Sequence, residues 1–524
     1  MTYFKNFYFY IFLFFFVFIA GIASINTGIT HDELFDYKVW LTNKDLILNF
    51  LFNENFDTSY LADAGKYYGI GFHYYSSLLE PFFSRLPQLS DYDINTKKIL
   101  SKHISVFSLF VISGLIFKRI VKLIINDNHF ANLSTIFYLS YPYLLGHSFF
   151  NVKDIPFLTL WLTCTYFIIR LSRNYFLKDL ILKKHLIFLV LSTSYLLSIR
   201  ISGVLIFIQY LIFILTVTHL KNISVFNFIK INIKELSFSF VGIFFFYILL
   251  QPSYWSNPLL IFDAIKYMSQ HIQTVCTVTL GECMKAQNLP ASYLPIWFFF
   301  KMPIIILLGL SLFIILEKKI EEKPLLKIIL LPLAYSIPAI IILLILFNVN
   351  LYDEIRQVMF LVPLIFIISL SLIYLFSKKI FSFSVIFFII FFIIQNIKIF
   401  PYNYIWINNF SHITKVTNIF ELDYWGASTK KISNFIQNKN VNDNSCIISN
   451  RNDAMNSLIT TNKCLIDFNQ LHKKVQRPFY VALMERGINK GVPNNCKIIF
   501  NEQINLNFSN ETLTLAKVFR CDKF

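Results

Sequence analysis

Long apolar runs separated by short polar segments make up most of the first 400 residues. A membrane-spanning helix needs about 20 mostly apolar residues, and eleven runs come close to that length. The pattern predicts a polytopic α-helical membrane protein with spans at 7–25, 104–125, 131–147, 155–172, 185–199, 201–219, 236–252, 294–316, 325–348, 358–376 and 380–399. The fifth and sixth runs are short and nearly continuous, so either could be re-entrant, and the number of spans is predicted to within about one pair.

The first run could be mistaken for a cleaved signal peptide, because Lys5 precedes it and the small residues Ala23 and Ser24 lie at its end. It is longer than the usual apolar region of a signal peptide, and the chain beyond it spans the membrane itself. We therefore expect an uncleaved first helix.

Two long regions do not follow the spanning pattern. In the loop at 26–103, apolar positions between Tyr67 and Leu86 recur at helical spacing, which indicates helices lying on the bilayer surface. Residues 400–524 are polar and rich in Asn, and short apolar runs after Cys446 and Lys497 predict the strands of a small α/β domain. We predict a membrane domain over 1–399, with its large outer loop at 26–103, and a C-terminal domain over 400–524.

Lys and Arg residues lie in clusters that alternate along the chain. Each cluster follows an even-numbered predicted span or precedes the next odd-numbered one, at 118–122, 170–184, 221–234, 318–327 and 378–379. Cationic residues favour the cytoplasmic side of a membrane. We therefore expect the N-terminus in the cytoplasm and the tail after residue 400 outside. The membrane to which we assign the protein is the bacterial cytoplasmic membrane.

The composition agrees with this topology. Hydrophobic residues make up 56% and charged residues 15% of the chain, whereas a soluble protein has about half and about a quarter. The net charge of +17 is spread over the clusters between spans and forms no single basic face, so we expect no nucleic-acid partner.

Six of the seven cysteines fall in regions that we place outside. An even number of cysteines in an oxidising compartment suggests disulfide bonds. Proximity along the chain favours the pairs Cys276–Cys283, Cys446–Cys464 and Cys496–Cys521.

Candidate chemistry begins directly after the first span, where Thr30–Tyr37 contains a His and three carboxylates within six residues. A carboxylate such as Asp32 could take a proton from an acceptor hydroxyl. Alternatively, Asp32 caps a helix. Lys153 and Asp154 lie at the same outer depth, at the start of span four, where Asp154 could cap that helix as well.

Three cationic residues run against the charge topology. Arg200 and Arg356 lie at outer ends of spans, and Lys301 lies inside span eight. They could bind the phosphate of a lipid carrier. Alternatively, they reach to the headgroups or form salt bridges with Asp353 or Glu354. The sequence contains no nucleotide-binding glycine loop and no HExxH motif, so the substrate should arrive within the membrane.

Several of these segments together resemble the GT-C glycosyltransferases of family 39, the branch of protein O-mannosyltransferases and lipid A aminoarabinose transferases. The resemblance covers most of the membrane part and the start of the tail. It rests on Asp32-Glu33, His147–Phe157, Leu289–Trp297, Leu351–Arg356 and Glu421–Ser428.

The resemblance implies a polyprenyl-phosphate-linked sugar donor, attacked with inversion by a lipid, glycan or protein acceptor at the outer face. It implies Asp32 as general base, Glu33 as its partner and Asp154 as a second acidic residue near the reaction centre. Only these three carry over on a motif. We expect Lys153, Arg200 and Arg356 to bind the lipid phosphate, and the roles of the two arginines rest on topology and a looser match. The sugar, the acceptor and any need for a divalent cation stay open. The alternatives are a transporter or flippase of lipid-linked sugars, and a glycan polymerase or ligase.

Overall fold

The structure is a computed structural model that describes residues 7–52, 58, 61–408, 410, 416–438, 445–460, 464–470, 478–488, 491–492, 496–506 and 511–522. Lys5 and parts of the two long polar regions lie outside the described residues. Within the described residues, helices build the first 399 positions and a small sheet lies near the C-terminus.

The first nine helices follow the predicted runs and the predicted surface loop. They are α1 (Phe7–Ile25), α2 (His31–Phe52), α3 (Asp63–Tyr67), α4 (Gly71–Phe83), α5 (Ile94–Ile124), α6 (Asn128–Ser140), α7 (Pro142–His147), α8 (Asp154–Lys178) and α9 (Lys183–Ile199). Nine more complete this part, with a hairpin of two strands between α13 and α14. They are α10 (Ile206–Leu220), α11 (Val225–Ile231), α12 (Ile233–Leu249), α13 (Leu260–Gln270), β1 (Cys276–Thr279), β2 (Glu282–Lys285), α14 (Tyr293–Lys301), α15 (Ile304–Glu321), α16 (Pro324–Leu346), α17 (Val362–Phe376) and α18 (Lys378–Ile399).

Among the described residues, seven helices are long and apolar enough to cross a membrane, and two bent pairs raise this number to nine. The polytopic membrane fold is therefore confirmed, whereas the predicted count of eleven spans is not. The predicted third span is divided between α6 and α7 at Tyr141, and the fifth, α9, has only 17 residues. The eighth is bent by 115° between α14 and α15, where Pro303 precedes α15.

The α17 helix forms the centre of the membrane part. Nearly all of its side chains are buried, and it packs against α5, α6, α15, α16 and α18. The outermost helices instead expose large apolar side chains, such as Phe14 on α1 and Phe383 on α18. In a bilayer such surfaces face lipid chains rather than water.

The C-terminal elements are α19 (Val416–Ile419), α20 (Thr429–Asn438), β3 (Ile447–Ser449), α21 (Asn452–Leu458), β4 (Leu465–Asp467), β5 (Phe479–Met484), β6 (Cys496–Asn505) and β7 (Thr512–Cys521). The last five strands form one sheet in the order β4-β3-β5-β7-β6. The β3 strand is parallel to both β4 and β5, whereas β7 is antiparallel to β5 and β6. The predicted strands after Cys446 and Lys497 fall on β3 and β6, which confirms the small α/β sheet region.

All three predicted disulfide bonds are confirmed. The Cys276–Cys283 bond joins β1 and β2, and the Cys446–Cys464 bond joins the residues that precede β3 and β4. Cys496 and Cys521 lie directly opposite each other in the β6–β7 ladder. Cys164 is a free thiol buried in α8.

The turn between α1 and α2 is built against residues 425–430. The backbone N–H of His31 donates to the carbonyl of Trp425 over 3.3 Å, and Thr429 Oγ1 donates to the carbonyl of Ile29 over 2.8 Å. A Cβ atom on Gly28 would lie 2.4 Å from the carbonyl oxygen of Ala427, so any larger residue at position 28 would displace this contact. The start of α2 is therefore fixed by a segment nearly 400 positions later in the chain.

Candidate functional site

The six predicted site residues surround a single cavity. It encloses about 740 Å³ of space, part of it open to solvent. The starts of α2 and α8, the turn after α9 and the turn before α17 meet there. Its charged lining consists of Asp32, Glu33, Asp36, Lys153, Asp154, Arg200 and Arg356, and its aromatic lining includes Phe35, Tyr68, Phe150, Tyr352 and Trp425.

Each cation that lines the cavity is paired with a carboxylate that also lines it. Arg356 Nη1 lies 3.1 Å from Asp32 Oδ2, and Lys153 Nζ lies 2.6 Å from Asp36 Oδ1. Arg200 pairs with Asp154. Within each of these pairs the opposite charges largely cancel.

Asp32 lies in the first turn of α2 and is the most accessible carboxylate of these pairs. Burial favours its neutral form, but the charges of Arg356, His31 and Lys153 hold the pKa of Asp32 below its usual range. The pKa of His31 is lowered by burial and by the nearby Arg451. Asp32 is therefore ionised at neutral pH beside a largely neutral imidazole.

Asp36 lies one helical turn after Asp32 and is buried in the cavity wall. Burial raises the pKa of Asp36 to about 6, although Lys153 acts in the opposite direction. Our sequence-based set of site residues did not include it. The signal was present, because residues four apart share one face of a helix.

Glu33 has both carboxylate oxygens engaged. Its Oε1 accepts from the backbone N–H and the hydroxyl of Thr30, each over 2.7 Å, and its Oε2 lies 2.7 Å from His103 Nε2. Glu33 and Thr30 form part of a capping arrangement at the start of α2. The side chain thus ties α2 to α5 from within the wall of the cavity.

Asp154 begins α8, and the neighbouring Asn151 performs the capping. Asn151 Oδ1 accepts from the backbone N–H of Asp154 over 2.8 Å, while Asn151 Nδ2 donates to Asp154 Oδ2 over 2.9 Å. The carboxylate is therefore oriented by Asn151 and is left to bind Arg200.

Arg356 is buried between aromatic rings. Its guanidinium carbon lies 4.6 Å from the ring centre of Trp425 and 5.0 Å from that of Tyr352. Its second terminal nitrogen lies 3.3 Å from Asp353 Oδ2. Asp353 has a left-handed backbone with φ of 58°, and its N–H donates to Thr277 Oγ1 over 2.9 Å. The hydrogen bond helps to hold a conformation that is unfavourable outside glycine.

Lys301 is absent from the cavity lining among the described residues and instead forms a buried ion pair. Its Nζ lies 2.8 Å from Glu354 Oε1, and both side chains are at 0% exposure. The salt-bridge alternative for this residue, with Glu354 as the partner, is confirmed.

Two arginines that sequence reasoning missed reach the site from the C-terminal sheet. Arg486 pairs with Asp353, and Arg451 contacts Nδ1 of His31. No periodicity or spacing links them to partners more than 100 positions away. Among the described residues, no group of three His, Cys, Asp or Glu side chains could hold a metal ion.

No protein-family model and no curated protein sequence matches the chain. The solved structures that are similar to it include two of one ArnT. The crystal structure of ArnT from Cupriavidus metallidurans bound to undecaprenyl phosphate has 8% identity and a TM-score of 0.50, over 98% of each chain. The apo structure of the same ArnT has 8% identity and a TM-score of 0.48, over 97% of each chain. The first likeness confirms an ArnT-like fold across nearly the whole chain.

Proposed function

We propose that the chain is an inverting glycosyltransferase that moves a sugar from a polyprenyl-phosphate carrier to an acceptor at the outer face of the membrane. The observation that carries this proposal is the convergence of three ion pairs on one cavity at the ends of the spanning helices. A structurally similar ArnT was crystallised with undecaprenyl phosphate, which supports a lipid-phosphate donor.

The donor would bind by exchange of ionic partners. A phosphate that enters the cavity competes with Asp32 for Arg356 and with Asp154 for Arg200, and Lys153 offers a third cation. Arginine suits this role, because its planar fork binds phosphate through two parallel hydrogen bonds. Binding of the phosphate would also release Asp32 from Arg356 for its own task.

The reaction then requires one proton transfer and one displacement. Asp32 takes the proton of an acceptor hydroxyl, and the acceptor oxygen forms a bond to the anomeric carbon on the face opposite to the leaving phosphate. The bond between that carbon and the phosphate oxygen breaks, and its electron pair stays on the lipid phosphate. Arg200 and Arg356 stabilise the charge that develops there, which is most effective in a site that excludes water.

The remaining carboxylates support these groups. Glu33 keeps Asp32 in place by fixing the start of α2, since both of its oxygens are bound within the protein. Asp154 orients Arg200, and Asp36 orients Lys153. The membrane domain is proposed to span 1–399, with the outer C-terminal domain at 400–524.

The proposed location is the bacterial cytoplasmic membrane. The N-terminus lies in the cytoplasm, and the cavity and the C-terminal domain lie outside, because the Lys and Arg clusters lie at the opposite ends of the helices. The acceptor is a lipid, a glycan or a protein on that outer side.

The test compares lipid extracts of a deletion strain that carries wild-type protein, Asp32→Asn or no protein. We expect a polyprenyl-phosphate-linked sugar to accumulate in the deletion strain and with Asp32→Asn, because loss of a general base slows a reaction by about 100-fold or more. Wild-type protein should consume the lipid. The matched control is Asp45→Asn, which changes an exposed carboxylate on the same helix and should behave as wild type.

Normal consumption of the lipid by Asp32→Asn protein would exclude this residue as the base. The absence of any accumulated lipid-linked sugar in the deletion strain would refute the proposed function itself.

A further inference from the structure

The C-terminal sheet presents one particular edge to the candidate site. Strands β3 and β5 are parallel neighbours, so their carboxyl ends lie at the same edge. Arg451 lies two positions after the last residue of β3, and Arg486 lies two positions after the last residue of β5. Carboxyl ends of parallel strands are where α/β sheets commonly place functional side chains.

From this edge a row of alternating charges runs to the candidate base. Arg486 Nε lies 2.5 Å from Glu421 Oε1, and Arg486 also pairs with Oδ1 of Asp353. The other oxygen of Asp353 binds Nη2 of Arg356. The remaining terminal nitrogen of Arg356, Nη1, binds Asp32. The full order is Glu421, Arg486, Asp353, Arg356 and Asp32.

A second contact reaches the residue next to Asp32. Arg451 binds both carboxylate oxygens of Glu485 and contacts Nδ1 of His31. Glu485 lies against Gly426, where a Cβ atom would come within 2.1 Å of Glu485 Oε1. The neighbouring Trp425 carries the ring against Arg356. The C-terminal sheet therefore contacts His31, the neighbour of the base, directly. It is linked to the base through Asp353 and Arg356, and to Trp425 through Gly426.

We propose that Arg486 is a positioning residue through which the C-terminal domain completes the site, by holding Asp353 so that Arg356 can reach both Asp32 and the donor phosphate. This inference rests on the proposed function and extends it to the C-terminal sheet and its two arginines, which lie outside the described lining of the cavity.

The geometry explains why Arg486 matters. The two carboxylate oxygens of Asp353 bind different guanidinium groups. Oδ1 binds Arg486, and Oδ2 binds Arg356. Without Arg486, both oxygens are available to Arg356, and the guanidinium tilts away from Asp32 and from the ring of Trp425. A displacement of about 1 Å at a charge-stabilising group can slow a reaction about 100-fold.

The experiment uses the full-length protein and the lipid-linked sugar that accumulates in the deletion strain, purified as the donor. Release of polyprenyl phosphate is measured with deletion-strain membranes as the source of acceptor. We expect Arg486→Gln to lower the turnover rate roughly 10- to 100-fold with a much smaller change in the donor KM. Arg486→Lys should recover part of the rate, because an ammonium can serve one carboxylate but not Asp353 and Glu421 together.

The matched control is Arg520→Gln, which removes an exposed ion pair with Asp522 in the same domain and should keep the wild-type rate. A merely structural role for Arg486 would lower the yield and melting temperature of the protein, while the rate per folded molecule stayed the same. That outcome would overturn the inference. Arg486→Lys provides the same comparison if Arg486→Gln does not fold.

A second measurement tests the connection through Asp353. In an Asp353→Asn background, Arg486→Gln should cause no further loss of turnover, because the group through which it acts has already been neutralised. Two losses that multiply would show that Arg486 acts independently of Asp353 and would overturn the inference. If wild-type protein releases no polyprenyl phosphate, both the proposed function and this inference are refuted. If wild-type protein is active and Arg486→Gln protein is equally active, only the inference is refuted.

Discussion

The buried pair of Lys301 and Glu354 allows a quantitative test of how the membrane part is held together. Both side chains are at 0% exposure, and the charged atoms lie 2.8 Å apart. With an effective dielectric constant of about 20, Coulomb's law gives an attraction of about 6 kcal/mol at that distance. Transfer of both charges from water opposes this attraction. The net contribution of the pair to the free energy of unfolding is therefore much smaller than the loss of stability when one partner is removed.

We therefore predict that Glu354→Gln destabilises the protein strongly. Loss of one partner from a buried pair costs about 3–5 kcal/mol, because the other charge stays buried without compensation. The amide of Gln can still accept a hydrogen bond from Lys301, so we expect about 3 kcal/mol. This corresponds to a melting temperature lower by roughly 3 °C in detergent or nanodiscs.

The matched control is Glu80→Gln, which removes a pair with Lys98 that is 3.8 Å long and partly exposed. It should cost less than about 1 kcal/mol. Adding Lys301→Met to Glu354→Gln should restore part of the lost stability, because it removes the isolated charge. A Glu354→Gln protein that melts within about 1 °C of wild type would refute the reasoning.

Three further predictions concern Asp36, one disulfide bond and one glycine. Because burial raises the pKa of Asp36 to about 6 from 3.8, the folded protein keeps a proton that the unfolded chain releases. The unfolding free energy of wild type should therefore fall relative to that of Asp36→Asn as the pH rises from about 4 to about 6, by at most about 3 kcal/mol. A difference in melting temperature between the two proteins that stays constant over this pH range would contradict this. Replacing Cys496 and Cys521 by Ser should cost about 3 kcal/mol, since the bond spans 25 residues, and equal melting temperatures with and without the bond would argue against it. Gly146→Ala should reduce the yield of folded protein in a size-exclusion assay, because the new Cβ would lie 2.0 Å from the backbone nitrogen of Tyr404, and a normal yield would show that this contact can relax.

Hydropathy predicts the membrane helices well but misses their breaks. The runs at 131–147 and 294–316 read as single spans, whereas the chain breaks at Tyr141 and bends by 115° before Pro303. Apolar composition is the same on both sides of a break, so only the prolines carry a local signal. A proline near a helix end and one at a sharp bend look alike in sequence.

The candidate site could be predicted in part because depth in the membrane orders residues from distant segments. The sequence predicts the same outer level for Asp32, Asp154, Arg200 and Arg356, and the structure brings them around one cavity. Their pairing could not be predicted, since it depends on the directions of side chains from different helices. The role of Arg486 could not be predicted for another reason. The packing of a sheet against helices produces no periodic pattern in the sequence.

The contact of residues 25–31 with residues 425–430 has a consequence for biosynthesis. The ribosome makes the start of α2 early, but its supporting segment leaves only after some 400 further residues. Contacts of such long sequence separation form late in folding. The surroundings of the candidate base are therefore completed only after nearly the whole protein has been inserted. A nascent chain released early would contain all of α2 but would lack the segment that fixes the start of this helix.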